Sequence, residues 1–440
     1  MSISVIGGGI TGLVAAYLLS SQGKKINLYE SAHFLGGQAS TVKLGGFRIE
    51  RGYHHLFKND HSIQKLLSDL GLNKSLSWNK SSVGTFTQGK LFPFSSPSDL
   101  LKFYPLSLPN RIKLGLISIF LQNKKRWQDY ENISANEWIK QYAGLEIYET
   151  VWKPLLEMKF GEFYEQVGMP WFWSKMKTRF ASRDRFGNEI LGYLDNSFEE
   201  MITTLRDQIE KMGGKIHLNS KVIKINQANG SVTSIIVENL NKKNKIKTDL
   251  IISTAPSYEL LKMVSFDKNY TAKLKAAQYL GASVFILLLK NKLSPYYWIN
   301  VTDKEIPFLG LIEHTNLVDK KLYEDNHIVY ITNYASYKDS IFKEKEEVLL
   351  NRYLLHMKKI NPNFKPEWVK DYVYNAVSAA QPIMPINYSE KIPSIVSPIK
   401  NLYIGNTTQI YPEDRGTNYS VKIAGEIVSL ITEKGEHNEK

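Results

Sequence analysis

Cysteine is missing altogether from the 440-residue chain, which rules out disulfides, thiolate metal sites and a cysteinyl link to any prosthetic group. Long apolar runs are missing as well. The longest, near Leu114–Leu121 and Ala282–Leu289, fall well short of the roughly 20 residues that cross a bilayer, so no transmembrane helix is expected. The N-terminus lacks a basic region followed by a long apolar stretch and a small-residue cleavage site, so no signal peptide is expected and the cytoplasm is the expected location. Acidic residues are in short supply: 43 Asp and Glu face 56 Lys and Arg, for a formal net charge of +13. Such an excess attracts anions, whether phosphate ligands, acidic lipid surfaces or nucleic acid. No recognised nucleic-acid motif accompanies the charge, so nucleic acid is not expected as a partner. No metal site is expected either. What remains is an ordinary globular composition, 43% hydrophobic and 22% charged, at a length that suits two intimately built domains.

Order appears at once at the N-terminus. Ser2–Ile6 reads as a buried strand and runs straight into Gly7-Gly8-Gly9-Ile10-Thr11-Gly12. Leu13, Ala16, Tyr17 and Leu19 then recur at helical spacing, and Lys25–Tyr29 reads as a second strand that ends on Glu30 and Ser31. This is a β-α-β unit with Gly7, Gly9 and Gly12 at the three fingerprint positions of a dinucleotide site. Gly7 permits the tight turn, Gly9 lets the backbone approach a pyrophosphate, and Gly12 lets helix and strand pack closely. The helix start at Ile10 and Thr11 offers free N–H groups to phosphates. Glu30 can accept hydrogen bonds from ribose hydroxyls. Five residues further on come Gly36-Gly37 and Gln38-Ala39-Ser40-Thr41. This resembles the extended fingerprint of the FAD-binding glutathione-reductase-like superfamily, in which the glycine pair lies against the diphosphate and ribityl region. Many relatives carry Arg where this chain has Gln38, so a neutral hydrogen bond is expected there, with charge neutralisation from elsewhere.

The stretch from Gly45 to Phe57 looks like the one that passes the flavin ring in that superfamily. His54 and His55 then stand either beside the isoalloxazine or substrate, or as an ordinary pair opening a helical cap. They are the only catalytic candidates. From Asp60 to about Asn196 the pattern is mostly helical and aromatic-rich, with a short strand expected over Gly89–Phe94, a long helix over Asn110–Gln128 and a helical break at Pro154. The helix around Arg111–Arg126 carries basic residues beside an apolar run. It either lies on an anionic membrane surface as a peripheral contact or packs in the core with a solvated basic end. A second basic cluster, Lys175, Lys177, Arg179, Arg183 and Arg185, sits among Trp171, Phe172, Trp173 and Phe180. It is either a solvated face or a partly dry groove in which Arg179, Arg183, Arg185 and Trp173 meet an anionic substrate.

Beyond Gly192 the chain returns to α/β character: a helix over Phe198–Met212, strands at Lys215–Leu218, Val222–Ile225, Val232–Val237 and Leu250–Ser253, then Thr254-Ala255-Pro256. In the FAD family the strand near Val222 contacts adenine through its backbone. Near the C-terminus a strand over Asn401–Gly405 precedes Asn406, the segment Asp414-Arg415-Gly416-Thr417-Asn418 and a helix over Tyr419–Ile431. The superfamily uses this arrangement to hold the ribityl chain and to aim a helix N-terminus at the flavin edge. Relatives often have an acid where this chain has Asn406, so the ribityl contact is expected to differ.

Together these features resemble the flavin amine oxidase superfamily, the group that includes protoporphyrinogen oxidase, phytoene desaturase and UDP-galactopyranose mutase. The segment Val151-Trp152-Lys153-Pro154-Leu155-Leu156 through Lys159-Phe160-Gly161 looks like the cap of the protoporphyrinogen-oxidase-like branch. The resemblance implies a Rossmann-like FAD-binding domain (1–75, 197–256 and 399–432), a helical cap (76–196), an inserted mixed α+β substrate-binding domain (257–398) and a disordered tail (433–440). It implies non-covalent FAD and dehydrogenation of a C–N or C–C bond of an apolar or anionic small molecule or lipid by hydride transfer to flavin N5. With no second dinucleotide fingerprint, oxygen, a quinone or a protein is the expected electron acceptor. Two alternatives stay open: a redox-neutral sugar-nucleotide mutase, and a flavin-bound protein without catalysis.

Overall fold

In the computed structural model, which describes residues 1–438 with side chains as far as Glu433, five strands form one parallel sheet. Its order is Lys215–His217, Lys25–Tyr29, Ser2–Ile6, Leu250–Ser253 and Leu402–Ile404. Successive side chains of a strand point to opposite faces, and this sheet is covered on both. Val5, Leu28 and Ile252 enter one core with the helices Ile10–Ser21, Ser197–Lys211 and Thr417–Asn438. Ile6, Ile251 and Ile404 enter a second core under an antiparallel meander of Lys221–Ala228, Ser231–Asn239 and Lys242–Lys247. The first meander turn is Asn229-Gly230, both at positive φ (50° and 72°), the backbone that a two-residue hairpin with right-handed strand twist requires.

A seven-stranded sheet forms the second layer, in the order Val369–Pro382, Tyr279–Leu289, His327–Ala335, Gly310–Glu313, Trp298–Val301, Val83–Thr87 and Lys90–Pro93. Tyr279–Leu289 is buried from Leu280 onward, which is why it reads as an unbroken apolar run. The hairpin Val83–Thr87/Lys90–Pro93 comes from the stretch expected to be wholly cap, yet it pairs with Trp298–Val301 and completes this sheet. Helices between Pro97 and Ala181 make the cap, with a core of their own around Phe103, Leu114, Trp138, Tyr148, Phe160 and Phe172. Pro154 does not end the helix: the helical run from Leu145 to Phe160 passes through a π turn at Tyr148–Trp152 just before it, a local widening of the kind that accommodates a proline inside a helix. The last helix continues to Asn438, through most of the stretch expected as a tail; residues 439–440 lie outside the described residues.

The two layers meet at a buried polar seam. Glu50 is fully buried and accepts hydrogen bonds from the Tyr193 hydroxyl and the Phe198 N–H, both at 2.7 Å. Burial pushes its carboxyl up to about 7. Nearby, His314 is 1% exposed, hydrogen-bonded to the Tyr323 hydroxyl at 2.9 Å and edge-on to the Tyr193 ring. Burial lowers its pKa to about 3, so the folded state holds the ring neutral. A histidine depressed in this way stabilises the fold above its unfolded pKa, and that contribution is lost as pH falls through the acid range. His314→Gln keeps a partner for Tyr323 and removes the titration. The urea-denaturation gap between wild type and variant should therefore narrow by about 2 kcal/mol between about pH 7 and about pH 5. An unchanged gap would mean that the ring is already charged in the fold.

Candidate functional site

The carboxyl ends of the parallel strands open into a cleft of about 550 Å³. Its floor is dictated by glycines. Gly7 leaves the first strand at φ +104°, and a Cβ there would stand 2.3 Å from Thr254 Oγ1. A Cβ on Gly12 would come 2.0 Å from the Gly7 carbonyl oxygen, so helix and strand touch through bare backbone. Gly9 differs: its φ of −71° suits any residue, and the nearest atom its Cβ would meet is Gly37 Cα at 3.8 Å. A side chain at Gly9 would therefore enter the cleft and not the protein. Gly9 is also the N-cap of Ile10–Ser21 and gives no side-chain cap, so the helix start offers its N–H groups to the cleft.

All the expected cofactor residues line this cleft except Gly12, which lies one turn inside, and Asn418, whose side chain accepts the Ile63 N–H at 3.1 Å. Glu30 is held from two sides, by the Gly8 N–H at 2.6 Å and the Ala32 N–H at 2.8 Å. Oε1 also accepts from the Ser31 hydroxyl at 3.1 Å, so the remaining acceptor capacity lies on Oε2. Gln38 donates its amide to the Ala379 carbonyl at 2.8 Å, tying the glycine-pair turn to the second sheet. Asn406 spends its side chain on the protein. Its amide donates to the Ala255 carbonyl at 3.0 Å, and its oxygen accepts from the Thr408 N–H and hydroxyl at 3.0 and 2.6 Å. The cleft also takes in residues that sequence reasoning had not assigned: Thr254, Ala255 and Pro256, Val377–Ala379, Lys221, and above all Arg415. The strand-end Thr254-Ala255-Pro256 was a visible signal for the first three. Lys221 and Arg415 supply positive charge that Gln38 does not.

Of the histidine pair, His54 reaches the cleft and His55 does not. His54 Nδ1 is 2.6 Å from the Gly52 carbonyl, which can only accept, so Nδ1 carries the proton and Nε2 is the acceptor. Burial lowers its pKa to about 4. His55 is turned into the protein, with Nδ1 3.0 Å from the Tyr297 hydroxyl, and burial also lowers its pKa.

The basic cluster is split. Arg183 donates to the Gly187 carbonyl at 2.9 Å and Arg185 lies over the exposed Phe186 ring; both belong to the turn after the helix Met169–Ala181. Trp173 is buried under Lys177. Arg179 lies 3.5 Å from Glu189, the same carboxylate that interacts with Arg183. Beside it lies a constellation drawn from distant parts of the chain. Lys159 and Lys175 both reach Asp414 Oδ2 at 3.0 Å. Arg415 donates to the Tyr334 hydroxyl at 2.8 Å and the Gln381 side chain at 3.1 Å, and Tyr334 meets the Tyr53 hydroxyl at 3.1 Å. Burial alone would raise the Asp414 carboxyl, but Lys159, Lys175 and Arg415 hold it well below the usual range. Protein surrounds both lysines, and burial lowers their pKa values, yet 22% and 32% of their side-chain surface remains accessible. Neither lysine lines the cleft itself; Arg415, the residue after their shared carboxylate, does. Lys159, Lys175 and Arg415 face Asp414, Arg179 and Arg183 face Glu189, and the buried Asp60 carboxyl also interacts with Lys175.

Residues 10–411 match the family described as flavin containing amine oxidoreductase. A 15-cis-phytoene desaturase of Glycine max is 27% identical over 54% of this chain and 45% of its own length. A coproporphyrinogen III oxidase of Bacillus subtilis (strain 168) is 27% identical over 60% of this chain and 61% of its own. The chain thus spans about half the length of these curated relatives. Reduced UDP-galactopyranose mutase superposes with a TM-score of 0.75 at 15% identity, over 98% of this chain and 96% of that one, a likeness of fold alone. The cofactor of this family is FAD, and the cleft fits it: a groove that any side chain at Gly9 would fill, a helix N-terminus free of side-chain caps, and a backbone-held carboxylate at Glu30.

Proposed function

The chain belongs to the flavin-containing amine oxidoreductase family, and on that premise we propose that it is an FAD-dependent oxidoreductase that dehydrogenates a C–N or C–C bond of an anionic small molecule. The observation that carries the reading is Arg415, which lines the cofactor cleft and stands next to the lysine pair on Asp414. When bound, FAD supplies a two-electron acceptor for a hydride at N5.

The chain's own residues bind, orient and exclude water. Glu30 would take the ribose hydroxyls, the Gly7–Gly9 turn and Gly36-Gly37 the diphosphate, and the start of Thr417–Asn438 the electron-rich edge of the ring. His54, neutral and with its acceptor nitrogen fixed by Gly52, would orient a donor without supplying charge. Lys159, Lys175 and Arg179 would hold the substrate's carboxylate or phosphate: a dry, cation-rich space stabilises an anion far more than water does. With one dinucleotide fingerprint in the sequence, reoxidation falls to oxygen, a quinone or a protein.

The relatives supply two probes of opposite character, the carboxylate-bearing coproporphyrinogen III and the neutral hydrocarbon 15-cis-phytoene. Added anaerobically to the purified flavoprotein, the carboxylated donor should bleach the oxidised-flavin absorbance and the hydrocarbon should not. Lys175→Met should keep its flavin and require about tenfold more of that donor for half-maximal bleaching. Bleaching by 15-cis-phytoene alone would overturn the anionic-substrate reading. A protein active only after chemical reduction would overturn the dehydrogenase reading.

A further inference from the structure

The cap helix Leu108–Asn123 hides little of its apolar surface. Only Leu114 and Leu121 are buried. Leu108, Ile112, Leu116, Ile119 and Phe120, spaced three or four residues apart along one face, keep 48–62% of their surface exposed. Leu101 and Tyr104 from the preceding turn, at 52% and 72%, belong to the same exposed stretch of chain, and Tyr142 and Leu145 elsewhere in the cap are exposed at 51% and 66%. Soluble proteins expose single large apolar residues freely, but a run of them along one helix face needs a partner.

The charge of the segment says which partner. Between residues 100 and 126 there are six cations, Lys102, Arg111, Lys113, Lys124, Lys125 and Arg126, and no acid. Among the described residues only Arg126 has a salt bridge, with Asp129 at 3.5 Å, although Glu146, bound to Ser107 at the helix start, also interacts with Arg111. No helix among the described residues is long and apolar enough to cross a membrane, so the face can only lie in an interface.

We infer that this helix docks the protein on an anionic lipid bilayer, with the Ile112–Leu116–Phe120 face in the acyl boundary and the flanking cations among the headgroups. An apolar face gains from burial in the boundary, and each cation near an acidic surface adds attraction that salt screens. A second protein copy would satisfy the apolar face but would set this cationic segment against another cationic segment. The helix also packs on Met169–Ala181, where the Lys177 ammonium caps the Lys124 carbonyl at 2.9 Å. The bilayer would thus lie on the outer side of the element that carries Lys175 and Arg179. The inference stands on surface residues and does not depend on the substrate.

Flotation of the full-length flavoprotein with vesicles tests it. Vesicles of phosphatidylcholine with phosphatidylglycerol should carry the protein, pure phosphatidylcholine should carry at least about tenfold less, and high salt should release it. Ile112→Glu with Leu116→Glu should lower partition at least tenfold, while absorbance and circular dichroism stay unchanged because both positions are exposed. Lys113→Glu with Lys125→Glu should remove the preference for anionic vesicles and leave the weak binding to neutral ones. Failure to float with anionic vesicles would overturn the inference, as would a dimer that the Ile112 and Leu116 substitutions disperse.

Discussion

Gly9→Val is expected to yield a folded protein that purifies without flavin. The reason is directional. A backbone at φ −71° accepts valine without strain, and the nearest atom a Cβ would meet is 3.8 Å away. No atom of the fold blocks a Cβ at this position, and the branched side chain beyond it occupies the groove where a diphosphate must lie within hydrogen-bonding reach of the Ile10–Ser21 helix start. Gly12→Val, three residues on, should do the opposite. Its Cβ would sit 2.0 Å from the Gly7 carbonyl oxygen, between two core elements that cannot both retreat. Overpacking of that kind typically costs about 1–3 kcal/mol, and backbone against backbone belongs at or above the upper end. The pair separates a binding role from a packing role within one motif. The ratio of flavin absorbance to protein, far-UV circular dichroism and a urea midpoint compared with wild-type apoprotein would read both. The comparison must be with apoprotein, because bound FAD itself stabilises the fold by mass action. Full flavin occupancy in Gly9→Val would remove the cofactor from this cleft.

The cofactor cleft was legible in the sequence because its determinants are local. A turn that needs positive φ, a backbone approach that needs no Cβ and an acid at a strand end each leave a mark within sixty residues, and the strand-end glycine Gly405 leaves another. The second half of the site left a weaker mark, the basic run from Lys175 to Arg185. Arg179, Arg183 and Arg185 look like one cluster in the sequence, but Asp184 takes the Phe186 and Asn188 N–H groups at 2.9 Å each and sets Arg185 over the Phe186 ring, while Arg179 and Arg183 stay together beside Glu189. Lys159, Lys175, Asp414 and Arg415 are brought together only by the docking of the cap on the last loop, a tertiary event that no window of residues encodes. The hairpin at Val83–Pro93 is similar: its strand character was readable in part, but its partner Trp298–Val301 is about two hundred residues away. Asn406 shows a subtler limit. The residue was found, but its side chain is committed to Ala255 and Thr408, so only its backbone is free to serve the cleft.

Asp414→Asn should be among the most destabilising single substitutions in the molecule, at about 3–5 kcal/mol. The Asp414 side chain is 12% exposed and receives both lysine ammonium groups at 3.0 Å, the Gln381 amide at 3.3 Å and the Arg415 N–H at 3.1 Å. Asparagine would fit the space but leave two ammonium groups and a guanidinium facing one another with no anion between them. If that repulsion is the cause, removing one cation should undo part of it. Asp414→Asn combined with Lys175→Met should recover roughly half of the loss, which a simple packing defect would not do. Surface ion pairs show no such behaviour, since water screens them to about 0–1 kcal/mol. Urea denaturation of the four apoproteins in the cycle therefore distinguishes a buried charge cluster from a screened one. An Asp414→Asn variant as stable as wild type would mean that water reaches the lysines freely, and the case for an anion held between them would fall with it. If the cycle closes as expected, flavin affinity should fall in Asp414→Asn as well. Asp414 and Arg415 lead directly into Gly416 and Thr417 at the cleft, so the loop that anchors the cations also sets the helix start that meets the cofactor.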